Sequence, residues 1–152
     1  MRFVASSIVL SALALSLSCV PAFAIDERID QQTMAALLVK AEQAAPKEQC
    51  FLYAELVHQM TEVSVRQYAS GDVEKAASLL KRIQDLTHKI HLSMANNDKR
   101  VKDTEILLNH TTFRLNGMLH ASSFEDRPLV QETLSDVSQA ENEAMLQVFH
   151  NK

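Results

Sequence analysis

The sequence predicts an all-α protein, an antiparallel helical bundle of four long helices plus one short N-terminal helix, following a cleaved leader. Three observations carry this. Breakers are scarce: beyond the leader the only glycines and prolines are Gly71, Gly117, Pro46 and Pro128, so long uninterrupted helices are expected. Apolar residues recur at spacings of three and four, the period of a helix with one buried face. Alternating strand patterns are absent, and the aromatic residues that favour strands are few, with no Trp and two Tyr.

The leader comes first. Arg2 supplies a positive charge, residues 3–20 contain no charge, and Pro21-Ala22-Phe23-Ala24 ends with small residues either side of Phe23. That is the three-part layout of a secretory signal, with cleavage expected after Ala24. Two other readings stay open. The apolar stretch is close to the ~20 residues that span a bilayer, which would make it an anchor. Cys19 can be a lipidation site, although Ser16 stands where a leucine-like residue is usual. Removing 24 of the 152 residues leaves 128, enough for one domain over residues 25–152, with no later segment apolar enough to cross a membrane.

The expected mature chain carries 14 basic and 19 acidic residues, a net charge of −5. Nucleic-acid binding needs clustered cations. The nearest cluster, Lys99, Arg100 and Lys102, is interleaved with Asp98 and Asp103 and reads as a solvated helix face. Once Cys19 leaves with the leader, Cys50 has no partner in the chain, so no internal disulfide forms and Cys50 is a buried small residue, an intermolecular disulfide or a reactive thiol.

The short first helix is expected to begin between Asp26 and Asp30 and to run through Met34, Leu37 and Leu38 to about Ala45. Pro46 ends it and suits the first turn of the second helix, which carries Tyr53, Leu56, Met60, Val63 and Tyr68. Ser70-Gly71-Asp72 is a stop and restart, with Gly71 free to take a left-handed conformation. The third helix has the cleanest stripe, Ala76, Leu79, Leu80, Ile83, Leu86, Ile90 and Met94, opposite a polar face with Lys75, Lys81, Gln84, Asp85 and Lys89. Asn96-Asn97-Asp98 predicts a turn. The fourth helix carries Val101, Glu105, Leu108, Leu115, Met118 and Leu119.

A loop over residues 122–128 offers two capping boxes, Ser122 with Glu125 or Ser123 with Asp126. The fifth helix then points Val130, Leu134, Val137, Ala144, Met145 and Val148 inward. Between Met60 and Ile83, the placement of Ser64, Gly71-Asp72, Ala76 and Leu80 faintly resembles one hairpin of a tetratricopeptide repeat. It lacks the aromatic expected at Met60, and no second copy follows, whereas such arrays need about three; it reads as a generic helical hairpin.

Few residues point to chemistry. Glu55 and His58, three apart on one helix, match half of a carboxylate-bridged di-iron site, and Asp85 with His88 is the nearest second half, with Glu105 as a further acid. Histidine and methionine also recur together, and His91 and Met94 share a helix face as a copper site requires. A metal centre would therefore draw on Glu55, His58, His88, His91 and Met94. No C-x-x-C-H motif attaches haem. The serines lie within helices without a glycine-rich elbow, and Cys50 is ~12 Å along the helix from His58, too far for a dyad. Asn109-His110-Thr111 fits a glycosylation acceptor.

These features predict an exported protein, periplasmic or secreted, that acts as a non-catalytic binding or interaction module of the cell envelope and needs no cofactor. The alternative is a periplasmic transition-metal binder of copper or di-iron type. Phe124 and the end near Cys50 are the first surfaces to consider for a partner, with Phe124 either exposed as an anchor or packed as a staple on the fifth helix.

Overall fold

A single apolar stripe on each of several helices is satisfied when the stripes face one another, and the computed structural model of the chain shows how this sequence does so. It describes residues 22–94 and 100–150, in which every regular element is helical. The elements are α1 (Ala22–Gln43), α2 (Pro46–Ala69), α3 (Val73–Met94), α4 (Val101–Ala121) and α5 (Arg127–His150). The turn expected at Asn96-Asn97-Asp98 and nearly all of the leader lie outside the described residues. Among them no helix is long and apolar enough to cross a membrane.

Four helices close a ring. α2 packs on α3, α3 on α5, α5 on α4 and α4 on α2, while α1 lies against α2 from outside. Leu56, Met60, Leu80, Ile83, Ile90, Leu108, Leu115 and Val137 fill the ring and are essentially withdrawn from water. The whole predicted stripe of α3 is buried, as its strict segregation of apolar from charged residues requires. Several buried hydroxyls are satisfied within their own helices: Thr61 donates to the Val57 carbonyl, Thr87 to Ile83 and Thr133 to Leu129.

Two expectations need correction. α1 is not short: its 22 residues match the other helices, because nothing between Pro21 and Pro46 interrupts it. It starts at Ala22, ahead of the expected cut after Ala24. Met145 does not point inward but is 40% exposed. Ala144, its neighbour, takes the core position, and adjacent residues lie about 100° apart around a helix.

The helix ends follow local chemistry. Pro46 opens α2 after Ala45, whose extended backbone makes the entry. At its other end the Asp72 N–H bonds to the Gln67 carbonyl and the Gly71 N–H to Tyr68, the paired bonds of a Schellman stop. Gly71 has φ of +89°, a conformation that costs a residue with Cβ. At α5, Ser123 Oγ accepts from the Asp126 N–H at 3.2 Å, so the second of the two candidate capping boxes is used. Tyr68 of α2 joins it: its hydroxyl donates to Asp126 Oδ2 at 3.0 Å and accepts from the Ser123 N–H at 2.8 Å.

α1 is held by Met34, Leu37 and Ala41, all buried, and by ion pairs from Asp30 to Arg66, Glu27 to Lys75 and Glu42 to Lys89. Cys50 is fully buried between α2 and α3, its Sγ 3.9 Å from the Ile90 carbonyl oxygen.

The two glycines should respond to alanine with opposite signs. A Cβ at either meets nothing within 4 Å, so only backbone preference decides. Gly71→Ala should destabilise by about 1–2 kcal/mol because of its positive φ, and Gly117→Ala, inside α4, should stabilise by ~1 kcal/mol. Denaturant midpoints of the two variants check both signs.

Candidate functional site

α4 turns Thr104, Leu108, Thr111, Leu115 and Met118 into the ring, which leaves its opposite face to solvent. The first turn of α4 exposes Lys102 and Asp103; beyond that turn the exposed residues are Ile106, Asn109, His110, Phe113, Asn116, Gly117, His120 and Ala121. None is an acid, lysine or arginine. The outer face of α3 is the contrast, with Glu74, Lys75, Lys81, Arg82, Asp85 and Lys89 all exposed. Phe113 is 75% exposed, an aromatic ring kept in water where nothing in the bundle requires it.

Two adjoining depressions lie where α4 meets α2 and share Phe113 and Arg114. One, of about 520 Å³, is bounded by His58 and Glu62 of α2 and by Asn109, His110, Phe113 and Arg114 of α4. The other, about 290 Å³, continues past Val65 and Ala69 to Gly117 and Ala121. Arg114 forms a forked pair with Glu62, Nε to Oε1 at 2.6 Å and Nη2 to Oε2 at 3.0 Å. The pair neutralises the floor and fixes α4 against α2.

His58 is held in one orientation. Its Nδ1 lies 3.1 Å from Thr111 Oγ1, and that hydroxyl gives its proton to the Leu107 carbonyl at 2.8 Å. Thr111 can therefore only accept from His58, so Nδ1 carries the hydrogen and Nε2 of the neutral ring is left with its lone pair. The His110 ring stands edge-on, 6.4 Å away between centroids. Burial pushes the His58 pKa below its ordinary value; His110 and Arg114 push the same way, and Glu62 opposes them.

The residues predicted to bind metal are distributed along the bundle. Glu55 and His58 are half-buried on α2 and His88 is exposed on α3. The Nδ1 of His91 donates to Glu143 Oε2 of α5 at 2.6 Å, and Met94 is buried in the core. Among the described residues no three His, Cys, Asp or Glu side chains form a group that could hold a metal ion. Asn109, of the glycosylation pattern, lies inside α4 and donates to Glu141 at 2.8 Å. Phe124 is 90% exposed in the connection between α4 and α5, so it is not a staple.

Reading the chain for stripes and metal spacings passes over Glu62, His110, Thr111, Phe113 and Arg114. The signal is partial: from Ile106 to Ala121 the exposed positions of α4 hold no acid, lysine or arginine, and Arg114, half-buried beside them, is paired with Glu62. Among the described residues the molecule is a five-helix all-α protein. Comparison with protein-family models, curated proteins and solved structures finds no match for this chain.

Because the fold disfavours protonation of His58, the unfolded chain binds more protons than the folded one as the pH falls through the ordinary imidazole value of 6.5. Stability should therefore be undiminished by this group above that value and decline below it. His58→Asn, which retains a hydrogen-bonding side chain, should flatten the loss between about pH 7 and pH 5, as urea unfolding midpoints across that range would show. An unchanged slope would assign the acid sensitivity to other groups.

Proposed function

We propose that this protein is a non-catalytic binding module of the cell envelope, exported by its N-terminal segment, that recognises a polypeptide partner through the outer face of α4 and its groove with α2. The supporting observation is the uncharged exposed face from Ile106 to Ala121, centred on Phe113. Exposed aromatics surrounded by small and uncharged groups are what a partner desolvates at low cost. Gly117 adds to this. Alanine would strengthen the helix there and has room, so no packing within the chain accounts for glycine; a partner backbone approaching closely would.

The reading takes the helices as two antiparallel hairpins, α2–α3 and α4–α5, laid side by side. Supporting it, Cys50 and Ser64 of α2 meet Ile90 and Ala76 of α3 in reversed order. His58, Glu62 and Tyr68 of α2 meet Thr111, Arg114 and the residues beyond Ala121 in the same order. In that arrangement α2 and α4 run together, and their groove is continuous along both.

A photoreactive amino acid at position 113 tests the interface in the native cell. It should give a covalent adduct with another polypeptide, whereas the same residue at Lys81 on α3 should not. Adducts from both positions alike, or none from position 113, would remove the proposal. An adduct of twice the chain's mass would make the partner a second copy.

Export is tested separately by sequencing the N-terminus of protein from fractionated cells. Ile25 is expected; a chain beginning at Met1 or at a lipidated Cys19 would replace the cleaved leader with an anchor.

A second reading, a transition metal held by the imidazoles of His58 and His110, is favoured by the free Nε2 of His58 in the depression that His110 also borders. Elemental analysis of protein from its native compartment decides it, stoichiometric copper or zinc lost in His58→Asn being the expected result.

A further inference from the structure

A third depression, of about 520 Å³, lies outside the ring and is bounded by α1, α2 and α3. Its origin is in how α1 is held. The apolar residues that α1 buries, Met34, Leu37 and Ala41, secure it to α2. Its link to α3 is a pair of ionic braces, Glu27 to Lys75 at 2.9 Å and Glu42 to Lys89 at 3.4 Å. The braces stand 14 residues apart on α3, roughly 21 Å at the helical rise. Between them the two helices do not close, and Val39 of α1 is left half exposed.

Met34, Leu38 and Val39 from α1, Val63 from α2 and Leu79 from α3 form an apolar stretch of its lining, with polar and charged residues around it. The lining holds two acids, Glu27 and Asp30, and two bases, Lys75 and Arg82. Glu27 is paired with Lys75 and Asp30 with Arg66, so both lining acids are neutralised. Arg82 also lines the cavity and has no partner among the described residues. The α2 wall holds one unmet acceptor, the buried Oε1 of Gln67, a place for a hydroxyl on the ligand or for a water. An apolar slot of this size with one unpaired cation at its edge has the composition of a site for an anionic amphiphile.

We propose that this cavity binds a long-chain carboxylate, its head group on Arg82 and its chain along Met34, Leu38, Val39, Val63 and Leu79. The site is independent of the α4 face, and a chain covered by α1 is removed from water without any change in the ring.

Calorimetric titration of the protein purified from its native compartment with dodecanoate tests this. One molecule should bind per chain, and dodecanol, which lacks the charge, should bind about ten-fold more weakly. Arg82→Gln should bring dodecanoate to the level of dodecanol. Ser78→Trp, which fills the cavity from α3, should abolish both. Ala35→Trp does the same from α1 should the first variant lose its helical circular dichroism. Phe113→Ser should leave both affinities unchanged. Absence of dodecanoate binding, Arg82→Gln binding as well as the parent, or binding that survives the tryptophans but not Phe113→Ser, would overturn the assignment.

Discussion

Removal of one apolar stripe per helix from water, inside a ring of four, is the constraint on which the other features depend. Each ring helix touches two neighbours, so about half of its circumference is claimed by packing and the rest is free. In α3 the division is clearest, with Ala76, Leu79, Leu80, Ile83, Leu86, Ile90 and Met94 inside and Leu92 exposed. The buried stripe then dictates where α3 sits, and its charged outer face keeps that side in water. Large aliphatic side chains such as Leu108 and Leu115 gain a few kcal/mol each from burial, far more than any exposed ion pair in the molecule supplies.

Because the ring accounts for its own stability, outward apolar residues are not explained by it. Phe113, Ile106 and Gly117 on α4 neither pack nor cap, and a helix designed only to stay folded and dissolved would place charge there. α1 shows a different departure. It lies outside the ring against α2, buries Met34, Leu37 and Ala41, and is joined to α3 by exposed ion pairs. The space beneath it persists because the residues there are too few and too small to draw the helices together, and because braces of charge fix a separation rather than close one.

The helical class, the breaks at Pro46 and Gly71, the stripe of α3 and the capping box at Ser123 are all legible in the sequence, since each depends on residues within one or two turns of one another. Phe113 is legible only as an exception, an aromatic residue off the buried stripe of α4. The Glu62–Arg114 pair, the Tyr68 bond to the α5 cap and the His58–Thr111 contact span more than 50 residues of chain. No local period contains them; they follow from which helix lies beside which, and four similar stripes do not specify that order. The metal spacings illustrate the same point from the other side. Glu55 with His58 and His91 with Met94 have the right separation along the helix, but separation along one helix says nothing of what the facing helix presents, and what faces His58 is a threonine and what faces His91 is a glutamate.

The hydrogen bonds of His58 show why placement matters more than composition. An imidazole on an exposed helix face would titrate near its ordinary pH and contribute a positive charge below it. Here the ring is tied through Thr111 to the α4 backbone, and its burial, with smaller contributions from His110 and Arg114, favours the neutral form against the opposing pull of Glu62. The neutral form of His58 is therefore favoured by where the fold places it, with α2 supplying the histidine and α4 the acceptor. Low charge along this groove is thus a property of the packed pair of helices, held in place by the same burial that closes the ring.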